Sequence, residues 1–425
     1  VQDYSGTVQA FSGDKLQQLG VTNDFRSLQH AVTGLHIANQ EGKLEVYLRG
    51  IGSSDSDFAS DPSVATHYND IYLARPRSLG PMFFDVERVE VNKGPQGTIR
   101  GRNATGGTIN IISRRPELTE LSGKVLAGFG DENQQQFEGV INLPVGETLA
   151  IRAAYYQEER DSYMDNAFTG SQDLLDDLDG QGARIADAFG GRTEAPGAID
   201  DKALRISALW EPNDRFSAYV MYDHVEQNGS GMPGAFSGRS LAFGEDIDDL
   251  DNPYEQYFVN EGYVENEIDG IMAKLVYDFG SMSLEYNGSY REYDFQTRNA
   301  AREWQIGMDF AGARDEAESV ILGNEQTAFG NFTQGEISET QVHEVRLFAN
   351  DDQRFRWALG AFYLQEDFSW ASQDFNHGWF GDCDWFQEGT VCGWLNGLSS
   401  ENRNDESEVE STAFYADGTF DVTER

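Results

Sequence analysis

Cys383 and Cys392 stand in an aromatic, polar stretch that runs from Trp379 and Phe380 through Trp385 and Phe386 to Trp394. Two thiols this close in a loop fit one local disulfide in an oxidising compartment. The nearest histidine, His377, lacks ligand spacing for a metal. The rings offer π faces that stack on a sugar, a catecholate or a porphyrin, or they pack the closed loop on itself. Two acidic runs, Asp173, Asp176, Asp177 and Asp179, then Glu245, Asp246, Asp248, Asp249 and Asp251, present oxygens of the kind that hold calcium. Neither matches the twelve-position EF-hand loop, and a solvated acidic face is the plainer reading. The six histidines show no ligand pair in sequence. No resident cofactor or metal is expected beyond calcium in those acidic loops. Carboxylates are scattered through the loops, with no nucleophile–base set, so no catalytic residue is expected and the chain is read as a non-enzyme.

Charge narrows the partners. Thirty-one Lys and Arg stand against 73 Asp and Glu, a formal net charge of -42. Such a field repels nucleic-acid phosphates and attracts cations. Mean hydropathy is -0.55, and no apolar run is long enough for a transmembrane helix. A transmembrane barrel, whose strands alternate lipid-facing and lumen-facing residues, has the same average.

Two kinds of segment must position these groups. Residues 1–116 read as a small α/β unit. Val8–Phe11 is a short strand, and Ser12-Gly13-Asp14 opens a helix through Leu16 and Leu19. Asn23-Asp24 caps a second helix with Phe25, Leu28, Ala31 and Val32 on one face. Leu44–Arg49, Val86–Val91 and Thr108–Ile112 are strands. After Pro116 the pattern changes to apolar–polar alternation over about ten strands. They lie near 122–130, 134–143, 148–159, 203–211, 215–225, 268–278, 282–292, 341–349, 355–366 and 410–421. In Leu204–Trp210 the outward face is Leu204, Ile206, Ala208 and Trp210. In Met282–Arg291 one face is Met, Leu, Tyr, Gly, Tyr and the other Ser, Glu, Asn, Ser, Arg. Short turns near 144–147, 212–215, 279–281 and 350–353 alternate with long polar stretches at about 160–202, 226–267, 293–340 and 367–409. Barrels of the outer membrane have this asymmetry, with tight turns at one end and long loops at the other.

The segment from Val89-Glu90-Val91-Asn92-Lys93-Gly94-Pro95-Gln96-Gly97 to Arg100-Gly101-Arg102-Asn103-Ala104-Thr105-Gly106-Gly107-Thr108-Ile109-Asn110-Ile111-Ile112 resembles the plug signature of TonB-dependent receptors. So do Val46–Gly52, and Asp61-Pro62-Ser63-Val64 leading to Tyr72–Pro76. On the residues alone, Gly94, Gly97, Gly106 and Gly107 permit tight turns and close backbone approach in a plug packed within a barrel. Arg49 lies in the second matching segment. Arg100, Arg102, Arg114 and Arg115 are placed to pair with lumen-facing carboxylates such as Glu285 or Glu344. A nucleotide-binding glycine loop has different spacing and a following βαβ unit.

The resemblance implies an α+β plug inside a transmembrane antiparallel β-barrel of about 22 strands when whole, located in the outer membrane of a Gram-negative bacterium. Residues 117–425 are then the N-terminal part of that barrel. Ten strands alone leave an open edge toward lipid, so further strands beyond Arg425, or a second outer-membrane or surface lipoprotein chain, are expected to close the wall. The start at Val1-Gln2-Asp3-Tyr4 reads as a point just after the segment that pairs with TonB. The resemblance implies energy coupling through TonB with ExbB and ExbD, contact with outer-membrane lipid and lipopolysaccharide, and import of a scarce nutrient. A ferric siderophore is first choice; an oligosaccharide, cobalamin or haem comes next. By position, ligand would meet Ser53, Ser54, Asp55 and Asp57 at the plug apex, Arg75 and Arg77 beside it, and Trp379, Phe380, Trp385 and Phe386 in a loop. His67-Tyr68-Asn69-Asp70 departs from the Tyr-Val-Asp-Gly-like run of many relatives. A passive porin needs no unit such as 1–116. A secreted, acidic β-rich enzyme needs a catalytic pocket, and solubility without detergent would single it out.

Overall fold

A computed structural model describes residues 7–21, 25–40, 43–52, 61–95, 103–166, 195–231, 254–256, 262–298, 302–303, 328–350, 354–378 and 399–420. The first unit opens with strand β1 (Thr7–Ser12) and helix α1 (Gly13–Gln18), whose first turn is capped by the Ser12 hydroxyl accepting from the Lys15 amide at 3.3 Å. Phe25–His30 forms a 3₁₀ turn rather than the expected α-helix. It still buries Phe25 and Leu28, which is all that so short a segment needs from its apolar face. Strands β2 (Leu35–Gln40) and β3 (Lys43–Leu48) make a hairpin. A five-stranded sheet follows in the order β1-β6-β7-β4-β5, from β4 (Val64–Tyr68), β5 (Ile71–Leu73), β6 (Val86–Lys93) and β7 (Gly107–Ser113). The β4–β7 pair is parallel and the rest antiparallel. Every residue of β4, β5 and β7 is buried, which removes the alternation that announces a strand in sequence.

From Ser122 onward ten long strands pair each with the next: β8 (Ser122–Phe129), β9 (Gln135–Val145), β10 (Leu149–Arg160), β12 (Ile199–Asn213), β13 (Phe216–Gly229), β15 (Tyr263–Asp278), β16 (Met282–Arg298), β18 (Ala328–Ala349), β19 (Phe355–Gly378) and β20 (Ser399–Phe420). Two-residue strands β11 (Asp165–Asn166) and β14 (Glu255–Gln256) pair with each other, and β17 (Arg302–Glu303) adds to β18. The ten expected strands are present. From β12 onward their loop-side ends run further than expected, as in β18, which starts at Ala328 rather than near 341.

This sheet is inside out by the standard of a water-soluble layer. On β12, Arg205 and Ser207 are each 2% exposed, while Ile206 and Trp210 are 43% and 47% exposed. On β16, Glu285 and Asn287 are buried and Leu284 faces outward. Polar side chains line the concave face against the first unit and apolar ones clothe the outer wall, the division a lipid-embedded barrel requires. Aromatic pairs mark the short-turn end, with Trp210 on Phe216 at 5.7 Å and Tyr277 on Phe279 at 4.8 Å. Among the described residues no helix is long and apolar enough to cross a membrane.

Candidate functional site

Residues 75–85 form a strap that binds the first unit to the inner wall of the sheet. Pro76 begins a 3₁₀ turn (Pro76–Leu79), because its fixed φ and missing N–H suit a first helical position. Gly80 ends the turn at φ 50°, where a Cβ would lie 2.9 Å from Ile268 Cδ1 and 3.0 Å from Val225 Cγ1. Glycine is therefore required twice there, by conformation and by contact with the wall. Asp85, also at positive φ (49°), aims its carboxylate outward.

Charged groups fasten the strap along its length. Arg152 of β10 donates twice to Asp85, from Nε at 2.7 Å and Nη2 at 2.6 Å. Arg205 of β12, 2% exposed, donates to the Phe84 and Met82 carbonyls at 3.0 and 3.2 Å and lies over the Phe84 ring at 4.5 Å. Arg291 of β16 donates to the Ser78 carbonyl at 2.8 Å while paired with Asp223 of β13 at 2.8 Å. The polarity of the anchors then reverses. Arg77 reaches Glu336 of β18 at 2.6 Å and stacks on Phe295 at 3.6 Å, and Arg75 reaches Glu366 of β19 at 2.8 Å and Phe368 at 4.3 Å. Running from Asp85 back to Arg75, the strap crosses the wall from β10 to β19, about six strand spacings of ~4.8 Å. Ten residues reach that far only when nearly extended, about 33 Å, and the long arginine and glutamate side chains span what the 3₁₀ turn takes up.

Beside the strap, Asn69 and Asp70 adopt φ of 51° and 70° between β4 and β5. That is the geometry of a two-residue I′ hairpin, which Asn and Asp tolerate better than other non-glycine residues. The Asn110 amide donates to Asp70 at 2.8 Å, and Asn69 Oδ1 accepts from the Ser113 amide at 2.9 Å. Burial pushes the Tyr68 phenol well above its ordinary pKa, so it stays neutral beside Met221 of the wall, whose sulfur it approaches at 3.9 Å.

Two cavities flank the strap. One of about 240 Å³ lies on the long-loop side, with Arg26, Arg77, Glu158, Arg160 and Asp201 among its lining residues. The other, about 330 Å³, lies toward the short turns, with Asp14, Arg114, Lys124, Glu138 and Arg152. The first is the one a molecule arriving past the loops would meet.

Several expected site residues are placed elsewhere than the sequence suggests. Arg114 pairs with Asp14 of its own unit at 2.8 Å, not with Glu285 or Glu344. Glu285 is held by Lys274 and Arg346, and Glu344 accepts from Tyr415 at 2.5 Å. These wall carboxylates find partners one or two strands away, which their sequence separation concealed. Arg115 lies over the Tyr219 ring of the wall at 5.0 Å. Gly94 and Gly106 join by a 3.0 Å backbone hydrogen bond, and a Cβ on Gly107 would sit 2.2 Å from the Asn92 carbonyl oxygen. The glycine contacts are thus internal to the first unit. The Arg49 amide donates to the Gly34 carbonyl at 2.7 Å, again within that unit. Arg75 and Arg77, expected beside a ligand, are ion-paired to Glu366 and Glu336. Ser53, Ser54, Asp55, Asp57, Gly97, Arg100, Arg102, Trp379, Phe380, Trp385, Phe386, both cysteines and the two acidic runs lie outside the described residues. The sequence reading missed Asp85, Arg152, Arg205, Arg291, Glu336 and Glu366. For the five on the wall the signal was present, a charge at the inward parity of an alternating strand; Asp85, on the strap, had none. The sequence reading also gave His224 no ligand partner, whereas strand pairing sets His224 Nδ1 3.1 Å from Asp269.

Residues 1–108 match the model of the TonB-dependent receptor plug domain. The pesticin receptor of Yersinia pestis is 30% identical over 166 residues, 38% of this chain and 24% of that protein. The catecholate siderophore receptor Fiu of Escherichia coli K12 is 29% identical over 160 residues, 36% of this chain and 19% of that protein. The crystal structure of the ferripyoverdine receptor of the Pseudomonas aeruginosa outer membrane superposes with a TM-score of 0.68 over 99% of this chain and 50% of that one, at 13% identity. The chain therefore spans half the length of that receptor, and its matches cover a quarter or less of the two curated relatives.

Proposed function

We propose, from the plug-domain match of residues 1–108 and the likeness of fold, that this chain is part of a TonB-dependent receptor of the Gram-negative outer membrane and that the whole protein imports a ferric siderophore. The single observation that carries the transport reading is the strap: a plug pinned by five charged anchors across the polar inner face of a lipid-facing wall. A passive pore has no use for such an obstruction. The siderophore reading is supported by the relative named for catecholate siderophores and the fold neighbour named for ferripyoverdine.

A ferric chelate entering past the long loops meets the cavity of about 240 Å³ whose lining mixes Arg26, Arg77 and Arg160 with Glu158 and Asp201, Arg77 being shared with Glu336. Guanidinium groups there suit an anionic, oxygen-rich chelate. From their place in the sequence, Ser53, Ser54, Asp55, Asp57, Trp379, Phe380, Trp385 and Phe386 are proposed as further ligand contacts. Ligand that prefers one plug arrangement shifts the population toward it, and TonB with ExbB and ExbD supplies the work that loosens the strap. Purified full-length protein is expected to bind ferric catecholates, read by tryptophan quenching, in preference to cobalamin or a maltodextrin. Binding of cobalamin or the oligosaccharide, with none of any ferric chelate, overturns the siderophore reading and leaves the receptor fold intact.

A further inference from the structure

A cargo that crosses the wall must pass the strap, and the two halves of the strap are held differently. The half from Arg75 to Leu79 is fastened by groups that the wall itself keeps in place. Arg291, which donates to the Ser78 carbonyl, is fixed by Asp223 at 2.8 Å. Gly270 clears its path, since a Cβ there would lie 2.3 Å from Arg291 Nη1. Arg77 and Arg75 add ion pairs to β18 and β19. The half from Pro81 to Asp85 has one ion pair, Asp85 with Arg152, and the two carbonyl contacts of Arg205. Two residues at positive φ bound it, Gly80 at 50° and Asp85 at 49°. Such positions at the ends of an element absorb the dihedral change of a hinge.

This second half is also the partition between the two cavities. Pro81 lines the loop-side cavity, and Phe83 and Asp85 line the turn-side one. Strand β10 borders both, with Glu158 and Arg160 in the first and Arg152 in the second. The inward residues between them are Ala154 and Tyr156, both buried. The Tyr156 ring stacks on Phe84 at 5.7 Å with 18° between planes. Its hydroxyl donates to Glu158 at 2.5 Å, which holds the ring upright on the wall.

Departure of this half changes the charge of the wall at one point. Arg205 stands directly opposite Asp223 across β12 and β13, so it keeps a carboxylate neighbour. Among the described residues, Asp85 is the only carboxylate that Arg152 bonds. A buried guanidinium stripped of its carboxylate is an uncompensated charge, and a planar oxyanion restores the lost contact.

We propose that Pro81–Asp85 is a flap that swings on Gly80 while Arg75–Leu79 stays fixed, that cargo passes between the cavities at the Phe84–Tyr156 stack, and that Arg152, vacated by Asp85, holds an anionic oxygen of the cargo on its way. The route rests on the import reading, whereas the division of the strap rests on its anchors alone.

The division is tested in purified full-length protein carrying C383S/C392S, by the rate at which a water-soluble maleimide labels one buried cysteine at a time. Ala154→Cys reports on the flap, and Leu364→Cys, near Glu366 on β19, reports on the fixed half. Adding Asp85→Asn is expected to speed labelling at 154 about tenfold and to leave labelling at 364 unchanged. Equal acceleration at both sites, or none at 154, overturns the flap. Should Ala154→Cys not fold, Ala203→Cys, opposite Tyr156 on β12, gives the same comparison. The station is tested in iron-starved cells with the charge swap D85R/R152E, which keeps a pair but inverts the charge left on the wall. Uptake of a trianionic ferric tris-catecholate, per chelate bound, is expected to fall about tenfold. Should the swap leave the flap unseated by the labelling test, D85N/R152L removes the charge instead and carries the same expectation. Unchanged uptake per bound chelate overturns the station. Wild-type cells that take up no ferric chelate fail the import reading and the route with it, and the labelling rates still decide the flap.

Discussion

Arg152 and Asp85 show how much one pair does. Both groups are buried, and the two-point contact leaves neither guanidinium edge nor carboxylate free to water. Removing one partner strands the other charge in a low-dielectric site, which costs about 3–5 kcal/mol. Arg152→Gln and Asp85→Asn are each expected to lower the unfolding free energy of the full-length protein, read from urea titration, by that order, and the double variant by clearly less than the sum. Additive losses contradict a direct pair. Arg205 differs, because its direct acceptors on the strap are two carbonyls rather than a carboxylate. Lysine at 205 keeps the charge but loses the planar fork that spans Met82 and Phe84. Arg205→Lys is therefore expected to weaken plug seating nearly as much as Arg205→Met.

At the level of the element, the strap depends on one residue without a side chain. Gly80→Val adds a Cβ branch where Ile268 and Val225 already touch, at a φ that valine resists. Faster amide hydrogen exchange across 76–84, with the β4–β7 core still protected, is the expected result. Unchanged exchange there contradicts the close approach. Which elements were legible in sequence follows from the same geometry. Barrel strands announced themselves where one face was apolar and the other polar, as in Leu204–Trp210. The alternation fades toward the loops, where Glu336, Ser338 and Thr340 interleave with Glu339 and Gln341, polar on both faces. Strand β18 was therefore read from 341 although it begins at 328. In the plug the opposite happens: Val64–Tyr68 is buried throughout, so it has no pattern to read. The anchors were legible as charges of inward parity but not as pairs. Their partners lie as far apart in sequence as Arg75 and Glu366, and only the curl of the sheet brings them together.

On the scale of the whole molecule, the wall must divide at one height into lipid-facing and headgroup-facing zones. Val345, 44% exposed, lies four residues from the short-turn end of β18, near the middle of the apolar band, and Ile337, 49% exposed, lies eight residues further toward the loops, opposite Asp294. Val345→Lys is expected to destabilise the protein in bilayers by about 2–4 kcal/mol and Ile337→Lys by about 0–1 kcal/mol. Equal costs would place the membrane elsewhere on the wall. On the proposed function the plug obstructs a regulated passage, and that passage is the claim to be measured. The most direct measurement is uptake of radioiron, presented as a ferric catecholate, by iron-starved cells carrying the full-length gene, its deletion, or a TonB deletion. Accumulation that requires both the gene and TonB is the expected result. Uptake that persists without TonB, or is unchanged by loss of the gene, contradicts an energised iron-chelate receptor.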